Sequence, residues 1–122
     1  MSYDPIATAQ DVIDTLRGVL LGEWSKISSF ATTQVKMLAI QGQLIANARV
    51  TGELREEDDL FKLFVDQLRS MTQNFARTLA AKTVLTLEKA WNAVAKVLWE
   101  AVNTVLAGAG LATLKLPGAP KA

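Results

Sequence analysis

An all-α fold is what this sequence predicts, and three observations carry the prediction. Apolar residues recur at steps of three and four over long stretches. No proline interrupts the chain between Pro5 and Pro117. The strongest break between them is "VTGELREEDDL", a glycine followed by a run of acids. The expected architecture is a long antiparallel helical hairpin, with helices at about 6–50 and about 54–107, and an extended tail. The alternative is a compact four-helix bundle, which breaks the helices near Ser25–Ser29 and near Ala80–Thr83. Residues 1–110 then form a single helical domain, and 111–122 an extended tail containing proline and glycine.

The first helix is marked at its start. Asp4 is a good N-cap, and Pro5 suits the first helical position, where an N–H would be unpaired in any case. Ile6, Ala9, Ile13, Leu16, Leu20, Trp24, Ile27, Ala31, Val35, Leu38, Leu44 and Ile45 then keep the helical rhythm. Gly18 and Gly22 form a small-xxx-small pair within it. Each glycine costs about 1 kcal/mol against alanine, so a close helix crossing is expected there, with a hinge as the rival reading.

Gly52 can take the left-handed conformation that ends a helix. The acids Glu56, Glu57, Asp58 and Asp59 fit the start of the next helix, where the dipole favours negative charge. They lack the alternating oxygen ligands and central glycine of a calcium loop. The second helix continues through Phe61, Phe64, Leu68, Met71 and Phe75, slips, and resumes at Val84, Leu87, Trp91, Val94, Leu98, Val102 and Val105. Gly108 and Gly110 end it.

The segment "KAWNAVAKVLWEAVNTVL" poses the main problem. With Trp91 at zero and ~100° per residue, Val94, Leu98, Trp99, Val102, Val105 and Leu106 join an apolar arc of about 200°, twice the stripe of a typical surface helix. A single neighbour in a hairpin covers too little of it. A buried large side chain contributes ~1.5–3 kcal/mol, so leaving several wet would forfeit most of a domain's margin. Something beyond the hairpin is expected to cover this face. The interface residues so expected are Trp24, Phe61, Phe64, Leu68, Phe75, Trp91, Val94, Leu98, Trp99, Val102, Val105 and Leu106, with Leu114, Leu116 and Pro117 of the tail docking as an extended peptide on a neighbour.

Composition narrows the chemistry. The 122 residues include no histidine and no cysteine, so the commonest general base, thiolate chemistry and most zinc sites are excluded. There is no glycine-rich phosphate loop and no Glu-x-x-His pair, so no catalytic, cofactor or metal residue is assigned and no enzyme activity is expected. Net charge is +1, with acids grouped at 53–59 and a basic excess after residue 60. Lys82, Lys89 and Lys96 align on one helix side, but a solvated polar edge explains them better than a phosphate-binding stripe. Nucleic acid is not an expected partner.

No secretory leader is visible, and no apolar run reaches the ~20 residues needed to span a bilayer. A cytoplasmic location, or one within an assembled particle, follows as an expectation. The expected function is a structural or interaction protein that meets other copies of itself, or a larger assembly, through a wide apolar helix face. A small virion, tail or secretion-machine component fits that description. The alternative is an amphipathic coat on a lipid or storage-polymer surface, similar in logic to phasins, which brings peripheral membrane contact. A third reading is a regulator of one specific partner protein.

Overall fold

The computed structural model describes residues 4–52, 54 and 56–120. Its elements are α1 (Pro5–Leu20), a 3-10 turn (Leu21–Glu23), α2 (Trp24–Thr51), α3 (Asp58–Lys82) and α4 (Leu87–Gly108). The fold is all-α, with no strand among the described residues, and it takes the compact four-helix form.

The start of α1 is as the sequence dictates. The Asp4 carboxylate accepts hydrogen bonds from the Ile6 and Ala7 amides at 2.9 and 3.2 Å, with Pro5 at the first position. The expectation of one helix over about 6–50 is corrected at its middle. Leu21 adopts φ 51°, ψ −120°, and the chain reverses there. Ile6 and Ile40 line one cleft, whereas an unbroken helix would hold them about 51 Å apart. Thus α1 folds back along α2.

The single helix over about 54–107 is also corrected. It is two helices, with residues 83–86 between them. Thr83 is extended (φ −135°, ψ −177°), its hydroxyl donates to the Leu79 carbonyl, and it accepts from the Leu85 amide at 3.1 Å. Thr86 then caps α4, accepting from the Lys89 amide at 3.1 Å. Two threonine hydroxyls do here what glycine or proline does at more visible turns.

At the α2–α3 corner Gly52 ends α2 in the left-handed region (φ 115°). Arg49 holds this corner: it donates to the Leu54 carbonyl at 2.6 Å and to Asp58 at 2.8 Å, and stacks 4.4 Å over the Phe61 ring. Asp58 and Asp59 lie in the first turn of α3, as expected, while Glu56 and Glu57 precede it. Among the described residues no side chain caps this helix.

The helices run up, down, up and down. α4 contacts α1, α2 and α3, and α2 lies across the diagonal from it, while α1 and α3 do not meet. α2 and α4 thus each pack against all three other helices, and α4 carries the two buried indoles. Trp91 is 1% exposed and Trp99 2%, with their rings 6.2 Å apart.

Candidate functional site

The residues expected at an interface divide by location. Trp91, Val94, Leu98, Trp99, Val102, Val105 and Leu106 are buried within the chain, as are Phe61, Leu68 and Phe75. Trp24 and Phe64 are half-buried and pack on the same core. The premise that the chain lacks the material to cover α4 is thereby overturned. Once both long helices fold back, three helices rather than one surround α4, and its broad apolar arc is what a central helix needs.

The fourth side of α4 is closed by the tail. Residues 111–120 run extended, antiparallel to the helix. Asn103 pairs with the backbone of Leu114 as a neighbouring strand would: its Nδ2 donates to the carbonyl at 2.9 Å and its Oδ1 accepts from the amide at 2.7 Å. The Trp91 indole donates to the Pro117 carbonyl at 2.9 Å. Leu111, Leu114 and Ala119 pack on the core. Leu114 and Pro117 are thus docked, but on their own chain, and Leu116 is exposed. Docking in cis is favoured because Asn103 and Trp91 offer partners at the spacing of an adjacent extended segment.

Gly18 and Gly22 do not mark a close helix crossing. A Cβ built on either meets nothing within 4 Å. Both are exposed, Gly18 within α1 and Gly22 in the 3-10 turn of the α1–α2 reversal. Lys82, Lys89 and Lys96 are exposed, and the Lys82 ammonium sits 5.9 Å from the Phe30 ring centroid. No cluster of metal-ligating side chains occurs among the described residues. No described helix is long and apolar enough to cross a membrane.

An exposed apolar stripe lies elsewhere. α2 is apolar on two sides. Leu38, Ala39, Ile45 and Ala46 point into the core, while Met37, Ile40 and Leu44, at steps of three and four, point out. Between Lys36 and Arg49 this helix carries no charge. On one flank Ile6 of α1 meets Ile40 across a cleft also lined by Pro5, Ala9, Ile13 and Lys36. On the other flank Leu44, Ile45, Ala48, Leu54, Leu60 and Phe64 line a cleft of about 440 Å³. Leu63 extends the surface along α3. The charge-free run of 37–48 was the available sequence signal for this face. It was missed because a continuous helical rhythm assigns Leu44 to the buried side.

Comparison with family models, with curated proteins and with solved structures returns no match to this chain.

Proposed function

We propose that this chain is a non-enzymatic structural protein that assembles, with copies of itself or within a larger particle, through the outer face of α2 and its flanks. The observation that carries the reading is the exposed stripe of Met37, Ile40 and Leu44 on a helix that already has a full inward face. Contiguous apolar surface on a folded monomer marks an association site, and depletion of charge is the compositional sign of an interface centre. The assembly function expected from α4 is thus retained, with its surface moved to α2. A place in the cytoplasm or inside an assembled particle, such as a virion, tail or secretion machine, belongs to this reading.

Assembly is preferred to a lipid or polymer coat because the coat depends on the apolar side of α4, which the folded chain keeps inside. The test is sedimentation of the purified protein against Leu44→Glu, a change at an exposed position that leaves the core intact. The wild-type chain is expected to form oligomers at micromolar concentration, and the variant to remain a monomer of unchanged helicity. A wild-type chain that stays monomeric and behaves like the variant overturns the proposal.

A further inference from the structure

The two ends of the bundle differ in charge and in shape. At the end where α1 turns into α2 and α3 into α4, two large aliphatic side chains project into solvent: Leu21, 75% exposed, and Val84, 76% exposed. Their turns are tied together, since the Val84 amide donates to the Glu23 carboxylate at 3.2 Å. Val19 adds to the same knob. The cations Arg17, Lys26, Lys82 and Lys89 are exposed around it. Glu88 opposes them, as does Glu23, which is already engaged by the Val84 amide.

Leu21 itself has the backbone geometry that glycine normally supplies. A leucine there carries strain and gains nothing from the core. Backbone strain of this kind clusters at functional contacts.

The opposite end is acidic. Glu56, Glu57, Asp58 and Asp59 are exposed there, with Lys62 the exposed cation beside them, and the Arg49 guanidinium is committed to Asp58, Leu54 and Phe61. Beside this cluster opens the uncharged cleft of about 440 Å³ lined by Leu44, Ile45, Ala48, Leu54, Leu60 and Phe64. It has room for more than one aliphatic side chain.

We infer that the assembly is head-to-tail: the Leu21–Val84 knob of one copy seats in the Leu44–Leu60–Phe64 cleft of the next. The partner is a second copy because the chain supplies both halves of the fit, an apolar knob set among cations and an apolar cleft beside acids. Charge of opposite sign steers the two ends together and disfavours like ends. Such a contact joins different surfaces, so it does not close on itself in a dimer. It continues into a ring or an open filament. The inference rests on the self-assembly reading above and specifies its geometry.

Two blocked variants test it. Leu21→Gly with Val84→Ser removes the knob, and both positions are exposed, so the fold is kept. Leu60→Glu places a charge in the cleft. Wild-type protein is expected to give species larger than dimers, weakened several-fold between roughly 0.05 M and roughly 0.5 M salt as screening shortens the reach of the charges. Each blocked variant alone is expected to be monomeric. An equimolar mixture is expected to give a 1:1 heterodimer and nothing larger, because one intact knob and one intact cleft remain. Variants that assemble like the wild type overturn this geometry while leaving self-assembly standing. Loss of assembly with no heterodimer on mixing overturns it as well, as does binding of the wild-type monomer to phosphatidylserine vesicles through Leu21 and Val84 in place of self-association. A wild-type chain that never associates overturns both readings.

Discussion

Leu21 shows how one residue hides a turn. Its positive φ belongs to the region where a Cβ is penalised, at a cost of order 1–3 kcal/mol. Glycine loses about 0.5–1 kcal/mol of its own through chain entropy. Leu21→Gly is therefore expected to raise stability by about 1 kcal/mol, seen as a higher thermal midpoint, even though it removes the knob. Gly18 sits inside α1 with open space where a Cβ would go. Gly18→Ala is expected to add about 0.5–1 kcal/mol by urea titration. The two central indoles differ in a way that substitution exposes. Trp91 donates to the Pro117 carbonyl, whereas the buried Trp99 Nε1 has no hydrogen-bond partner. Trp91→Phe strands an acceptor, while Trp99→Phe removes an unpaid donor. The first is expected to cost about 1–2 kcal/mol more than the second in chemical denaturation.

Among the elements, the tail is held by few bonds whose failure is easy to see. Asn103→Ala removes both bonds to Leu114 and is expected to cost about 1–2 kcal/mol. Hydrogen exchange at the Leu114 amide, faster in the variant, checks it. The helices explain what was legible in the sequence. Asp4–Pro5 and Gly52 announce themselves, because an N-cap carboxylate and a left-handed glycine have few other uses. The reversals at 21–23 and 83–86 do not. At the first, the strained residue is a leucine beside Gly22 rather than the glycine itself. At the second, extended Thr83 and capping Thr86 sit in an otherwise apolar rhythm, and only the Thr86 side chain hinted at a helix start. Missing both turns doubled the apparent helix length. That error alone produced the uncovered face on α4, and it placed the candidate site on buried residues instead of on Met37, Ile40 and Leu44.

At the scale of the whole molecule, burial and charge are arranged around different axes. Apolar packing runs across the α2–α4 diagonal, whereas charge separates lengthwise, with Lys82 and Lys89 near one end and Glu56 to Asp59 near the other. Trp91→Ala would leave a void beside Trp99 and under the tail, at about 3–5 kcal/mol. That is a large part of the ~5–15 kcal/mol typical of a domain. The variant is expected to lose its cooperative urea transition. α2 joins α1 and α3, but α1 and α3 do not pack on each other, and the faces of all three that look toward α4 stay open until it joins them. The chain emerging from a ribosome thus carries its keystone last, and collapse to the native state must wait for the final segment. A fragment ending at residue 86 is expected to bind hydrophobic dye and digest rapidly with protease, and adding α4 with its tail as a separate peptide is expected to restore protection.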